Sequence, residues 1–310
     1  MKLFVGIATM ALSACFAGSI AVARQKPQIP DRLRQASRDP DLIKRRAAYA
    51  QLHVMRPYAV LFQELPFNPI PSKGSSADLR KQISDYGIGV KDQGSRGTCS
   101  VFALDFLHEY TMCRKTGRKH PNFSEEYLNF IGNVAAGAFV DGGFFSDLNN
   151  GYQTYGHIPQ RALPYSDPMN PDVNTKGYTL EATGEKAIRY PAKFIKPWDN
   201  TKGPTTAEMH SACDELDAGV PVASGFLWPD QGHFKQKLIS GVDMMVKIPR
   251  SDVFDGHSID LVGYKRGSQF PGGGYFIFRN SWGKGWGAHG YGFMSFEYAK
   301  AYANDMVCYP

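Results

Sequence analysis

Three segments far apart in the chain carry side chains that make chemical sense only if folding brings them to one point. They are VKDQGSRGTCSVFALDFLHEY at residues 90–110, DGHSIDLVGYK at residues 255–265 and FRNSWGKGWG at residues 278–287. A thiol at Cys99, an imidazole at His257 and an amide at Asn280 are the parts that nucleophilic acyl transfer needs. The fold must therefore deliver a helix end and two strand-like segments to a common site.

Each residue type has a physical role. A thiol is mostly protonated at neutral pH, whereas a cysteine at a helix N-terminus beside a protonated imidazole is held as the attacking thiolate. Val101, Phe102, Leu104, Phe106, Leu107 and Tyr110, interspersed with Asp105, His108 and Glu109, predict a buried helix starting at or just before Cys99, with Gly94, Gly97 and Thr98 as turn and cap residues. His257 is expected to pair with the thiolate and later protonate the leaving amine, and Asn280 to hold its ring in the productive tautomer. The Gln93 amide, folded back along the Gly-rich loop, and the Cys99 N–H form a candidate oxyanion hole.

Taken singly, these signals are weak. A cysteine opening an apolar helix is most often a buried small hydrophobe, a histidine ahead of a strand-like run is usually structural, and Asn280-Ser281-Trp282-Gly283 would also serve as a turn around a packed Trp. Their joint occurrence with Gln93 points to catalysis. His53, His108, His120, His157, His210, His233 and His289 lack such a context.

At these residues the chain resembles the papain-like cysteine peptidases, whose local signature is C-G-[SA]-C-[WY] with His and Asn downstream. Arg96-Gly97-Thr98-Cys99-Ser100 departs from it: Arg96 replaces a family cysteine, which costs a disulfide, Thr98 replaces Ser or Ala, and Ser100 replaces the aromatic. Asp78-Leu79-Arg80 is similar to the start of the mature domain, Asp141-Gly142-Gly143-Phe144 to the double glycine of the cleft, and Leu163-Pro164-Tyr165 to the stretch that follows. The resemblance covers about residues 76 to 310 and implies a divergent member of an α+β class. Its two-domain fold has a helical left domain (about 90–195) and an antiparallel β-barrel right domain (about 196–300), with the active-site cleft between them.

Strand-like runs at residues 221–225, 258–264, 275–279 and 290–294 agree with the barrel half, and a capped helix is expected near Ser124 to Leu128. Gly- and Asn-rich turns are expected from Gly137 to Gly156. In the family the Trp282 position shields the Asn–His hydrogen bond from water. The resemblance further implies that Gly142 and Gly143 pair with the substrate backbone. It also implies that Phe144, Phe145, Gly225 and Ser258 line a roomy apolar pocket for the second residue before the cut, with Asp255 close to its wall.

The N-terminus reads as a targeting segment: Lys2, an apolar run, and Ala21-Val22-Ala23 as a cleavage site. Three outcomes are open, namely cleavage after Ala23, lipidation at Cys15 in Leu12-Ser13-Ala14-Cys15, or an uncleaved anchor. All of them imply export, to the periplasm or outside. Residues 24–73, charged and then Pro-rich in LPFNPIPSKG, are a propeptide running through the cleft or a linker, which leaves 74–310 as the peptidase domain. The net charge of +6 is spread through the sequence with no unbroken basic run, so nucleic acid is not implied.

Setting aside Cys15 and Cys99, three cysteines remain, enough for one bridge and one spare thiol. The resemblance, in which the C-terminal arm packs across the helical half, implies Cys113 with Cys308. Cys213, in the helical TAEMHSACDELDAG, reads as a buried residue. The expected function is a monomeric cysteine-type endopeptidase acting on peptide or protein substrates, open to protein inhibitors, without cofactor or metal. An acyl-transfer enzyme such as a peptide ligase, transpeptidase or amidase is the alternative with the same thioester, and a non-catalytic surface binding protein is the other.

Overall fold

The computed structural model describes residues 74–137, 140–167, 189–229 and 236–310. The targeting segment, residues 24–73, His53 and His233 lie outside the described residues.

The helical half contains α1 (Arg80–Asp85), α2 (Cys99–Thr116), α3 (Glu125–Ala136) and α4 (Phe145–Tyr155). Helix α2 is buried on every face from Cys99 to Cys113, Asp105, His108 and Glu109 included, because it is wedged between α3, α4 and the sheet. A helix with no solvent face carries no amphipathic stripe. It stops at Gly117, whose φ of +71° suits a residue without a Cβ. Helix α3 starts as expected, with the Ser124 hydroxyl accepting from the Tyr127 N–H at 3.0 Å.

The turns expected between Gly137 and Gly156 are corrected by α4. Phe145, Leu148, Tyr152 and Tyr155 recur at helical spacing and are buried. Among the polar Asn and Gln residues that suggested turns, Gly151 lets α4 approach α3: a Cβ there would lie 2.6 Å from the Ile131 carbonyl oxygen.

The sheet half comprises β1 (Ser76–Asp78), β2 (Lys193–Lys196), β3 (Val222–Pro229), β4 (Gln236–Ile239), β5 (Val242–Met245), β6 (Val253–Arg266), β7 (Gly274–Arg279), β8 (Tyr291–Ser295) and β9 (Ala303–Cys308). Helices α5 (Thr206–Asp217) and α6 (Phe296–Tyr302) pack against it. The strand order is β2-β9-β3-β6-β7-β8-β5-β4, with β1 paired to β6. Pairing is antiparallel except for one parallel bridge, Met245 to Met294. The expected barrel is an open sheet: no ladder joins β2 to β4 among the described residues, and each of these end strands has only four residues. Strand β3 is buried along its whole length because it pairs with β6 on one side and β9 on the other.

The two halves are laced at their ends. β1 crosses to the sheet, while the chain end returns to the helices, where the Tyr309 hydroxyl donates to Asn149 Oδ1 at 2.8 Å. The arm therefore crosses as the resemblance implies, but no bridge forms: Cys113, Cys213 and Cys308 are buried and unbridged. Cys308 is directed elsewhere, since β9 pairs it with Lys193 of β2 and its thiol lies 3.8 Å from the Lys193 carbonyl oxygen. Burial pushes the Cys113 thiol up to about 11 and those of Cys213 and Cys308 up to about 12.

Candidate active site

Helix α2 begins at Cys99, which is 7% exposed. Thr98 occupies the position before it, but its hydroxyl does not cap the helix and instead lies 2.7 Å from the Tyr165 hydroxyl. The loop that leads in is set by Gly94, at φ +61°, whose N–H donates to Asp92 Oδ1 at 2.9 Å in a local turn. Asp167 holds the next residue, accepting from the Ser95 N–H at 2.7 Å and the Ser95 hydroxyl at 2.6 Å. The nucleophile candidate thus stands at the positive end of an eighteen-residue helix, on a loop anchored from both sides.

His257 arrives on β6, opposite Phe226 of β3, and Asn280 follows directly after β7. Their side chains meet with His257 Nε2 2.8 Å from Asn280 Oδ1. The Ser281 N–H also donates to Oδ1 at 2.8 Å, which fixes the orientation of the amide. Because Oδ1 only accepts, Nε2 must carry the proton, and the neutral ring keeps its lone pair on Nδ1. Nδ1 is buried and has no hydrogen-bond partner among the described residues. Trp282 stacks on the imidazole with centroids 4.5 Å apart, and Trp228 meets it edge-on at 4.9 Å. Water is thereby kept from the His257–Asn280 contact.

Gln93 is fully buried between the two halves. Its Nε2 donates to the Arg96 carbonyl at 2.8 Å, its Oε1 accepts from the Ser281 hydroxyl at 2.6 Å, and its N–H donates to the Ser281 carbonyl at 2.9 Å. The loop before Cys99 is therefore tied to the turn after Asn280.

A solvent-open cleft of about 560 Å3 collects Cys99, His257, Gly143, Phe144, Phe145, Gly225 and Ser258 on its walls. Gln93, Asn280 and Trp282 stand behind those walls. Gly142 does not line the cleft: at φ +77° it turns away, its N–H donating to Asn129 Oδ1 at 3.0 Å. Gly143 is tied to helix α2 instead, through its N–H to the Ser100 hydroxyl at 3.1 Å. The Asp255 side chain lies outside the described residues.

Sequence reasoning missed Trp198, Asn304 and Asp305. Trp198 meets Phe144 edge-on at 4.9 Å. Ser258, Gly225 and Asp305 form one cross-strand row on β6, β3 and β9, and the Gly225 N–H donates to Asp305 Oδ1 at 2.6 Å. Burial pushes the Asp305 carboxyl up to about 7, with the Gly225 hydrogen bond and Lys196 pulling against it. A Cβ at Gly225 would lie 2.5 Å from Asn304 Oδ1 and 2.7 Å from Asp305 Oδ1, so the glycine keeps this wall open. No local sequence signal marks Asp305, because only the pairing of β9 with β3 brings it here. Among the described residues, no group of three or more His, Cys, Asp or Glu side chains is placed to hold a metal ion, and no helix is long and apolar enough to cross a membrane.

Residues 74–310 match the family described as papain family cysteine protease. Human cathepsin L2 is 28% identical over 242 residues, covering 74% of this chain and 62% of its own length. A cysteine protease of Blomia tropicalis is 23% identical over 229 residues, covering 71% of this chain and 61% of its own. The chain thus spans about three fifths of the length of these relatives. Among solved structures, digestive procathepsin L 3 of the Tenebrio molitor larval midgut superposes with a TM-score of 0.53 at 20% identity, covering 93% of this chain and 94% of the other. Xylellain, a cysteine protease from Xylella fastidiosa, gives 0.55 at 18%, covering 82% and 92%. These structural likenesses concern the fold.

Proposed function

The chain belongs to the papain family of cysteine proteases, and on that footing we propose that it is a cysteine-type endopeptidase working through a Cys99 thioester. The observation that carries this reading is the His257 ring. Asn280 holds its proton at Nε2 under Trp282, while the buried Nδ1 has no hydrogen-bond partner among the described residues and the ring shares a cleft wall with Cys99.

In the first step the Cys99 thiol passes its proton to His257 Nδ1, the resulting thiolate attacks the scissile carbonyl carbon, and the carbonyl electron pair moves onto oxygen. The Cys99 N–H, at the helix N-terminus, and Gln93 Nε2 stabilise that oxyanion. Collapse expels the amine, which takes the proton of His257 Nδ1 and leaves a thioester. Nδ1 then removes a proton from water as it attacks, and the second collapse releases the acid and restores the thiolate. Asn280 acts throughout as the residue that orients the ring.

Gly143, Phe144, Phe145, Gly225 and Ser258 bind the residues before the cut, with Gly142 shaping the loop. Asp305 makes one wall of this pocket titratable. A carboxyl raised to about 7 is neutral below that pH and anionic above it. The kcat/KM ratio of a peptide with Lys over one with Leu at the second residue before the cut is therefore expected to rise between about pH 6 and 8, and Asp305→Asn to flatten that rise. A ratio unchanged by pH in both proteins would remove Asp305 from the pocket. Residues 1–23 direct export, and residues 24–73 precede the domain as propeptide or linker; full activity of the uncut chain would exclude the propeptide role.

The central test is labelling by a peptide epoxide followed by peptide mapping. Label is expected on Cys99, and Cys99→Ala is expected to lower kcat by at least about 10⁴-fold. Unchanged hydrolysis in Cys99→Ala would sink the peptidase reading.

A further inference from the structure

We propose that Arg96 is a positioning residue, whose clasped guanidinium holds the Gln93 amide and the double-glycine loop in their working arrangement. This rests on the peptidase reading. Arg96 is 5% exposed and every nitrogen of its guanidinium is engaged. Nη1 donates to Glu126 Oε2 at 2.5 Å and to the Ser166 carbonyl at 2.7 Å. Nη2 donates to Asp141 Oδ1 at 2.7 Å and to Glu126 Oε1 at 3.1 Å, and Nε to Asp141 Oδ2 at 3.2 Å. The guanidinium carbon sits 4.6 Å from the Tyr165 ring centre. Burial works against the charge, yet Asp141 and Glu126 hold the group more firmly protonated than usual.

This one side chain joins three loops: the nucleophile loop, the segment leading to Gly142 and Gly143, and residues 165–166. Gln93 is gripped through two of the joints. Its Nε2 donates to the Arg96 carbonyl, and its own carbonyl accepts from the Tyr165 hydroxyl at 2.8 Å. Asp141 also accepts from Asn129 Nδ2 at 3.3 Å, and Asn129 in turn holds the Gly142 N–H. A fork of five fixed donors suits such a junction, and an ammonium does not. The clasp stands where the resembled family has a disulfide cysteine, so here a non-covalent ion-pair junction ties the oxyanion loop to the cleft wall.

An oxyanion donor stabilises the transition state only if it is aimed before charge develops. Arg96→Ala is therefore expected to lower kcat about 10²-fold, with Arg96→Lys recovering less than about a tenth of the lost rate and added methylguanidinium partly rescuing the Ala protein. Alkylation of Cys99 by iodoacetamide, which forms no oxyanion, is expected to stay within about threefold of wild type. A folded Arg96→Ala protein with wild-type kcat, or with alkylation reduced as much as kcat, would overturn the assignment. If Arg96→Ala does not fold, Tyr165→Phe decides: about fivefold lower kcat with unchanged alkylation is expected, and wild-type kcat overturns it. A wild-type protein that neither hydrolyses peptides nor takes the epoxide defeats the peptidase reading itself, whereas an active wild type beside an indifferent Arg96→Ala defeats only the clasp.

Discussion

Two buried charge clusters flank helix α2, and they balance their charges differently. In one, Arg96 meets two carboxylates through four donors and the Ser166 carbonyl through a fifth, and its contacts run to Gln93 and the double glycine. In the other, Lys91 offers a single ammonium to Asp105 at 3.1 Å, to Glu109 at 2.8 Å and to Glu125, three carboxyls that are each about 1% exposed. One point charge cannot satisfy three buried anions. Burial accordingly pushes Asp105 and Glu125 up to about 7 despite the pull of Lys91, and raises Glu109 as well. None of the three acids lines the cleft. A junction proposed to aim the Gln93 amide thus stands apart from a charge nest that couples stability to pH.

The largest expected effect comes from removing the Lys91 ammonium. Lys91→Met leaves three buried carboxyls with no cation, and taking one partner from a buried pair typically costs about 3–5 kcal/mol. The low end, about 3 kcal/mol at pH 7.5, is expected here because Asp105 and Glu125 can take up protons instead of staying charged. Urea unfolding at pH 7.5 and pH 5 measures it, with the smaller loss expected at pH 5. The kcat of the folded variant is expected to stay within about threefold of wild type. A folded Lys91→Met that keeps its stability but loses kcat as Arg96→Ala does would erase the distinction between the clusters.

The same contrast marks what could be read from residue types alone. Cys99, His257, Asn280, Gln93 and Trp282 stood out as site candidates because their chemistry restricts each position and they fall in three local motifs. The roles proposed for Arg96 and Asp105 did not. Arg96 marked only a lost cysteine, since its partners at Glu126, Asp141 and Ser166 lie 30, 45 and 70 residues away. Asp105, His108 and Glu109 looked like polar interruptions on a helix, and nothing local reveals that α2 is surrounded on all faces. Helix α4 was hidden by Asn, Gln and Gly residues whose turn preference was overridden by packing on α3. Asp305 depended on strand register, a tertiary property with no periodic signal.

A smaller change tests the nest with the opposite sign. Asp105 Oδ1 and His157 Nδ1 face each other at 3.8 Å, and neither has a hydrogen-bond partner among the described residues. Burial pushes His157 down to about 3 and also lowers His108, whose Nδ1 lies 2.5 Å from His157 Nε2, so both rings are neutral near pH 7. Asp260, beyond them, is raised by burial against the pull of Arg279 at 3.8 Å. Between about pH 4 and 7 the folded chain therefore retains carboxyl protons that the unfolded chain has released, and stability falls as pH rises. The two histidines oppose this below about pH 6.5, because there the unfolded chain takes up protons that the buried rings do not. Asp105→Asn removes one raised carboxyl and presents an amide donor to His157 Nδ1. It is expected to stabilise the fold by about 1 kcal/mol at pH 7.5 and by roughly nothing at pH 5, where Asp105 already carries its proton. Equal destabilisation at both pH values would mean that the nest, like the Arg96 clasp, is held by fixed charge, and the comparison would collapse.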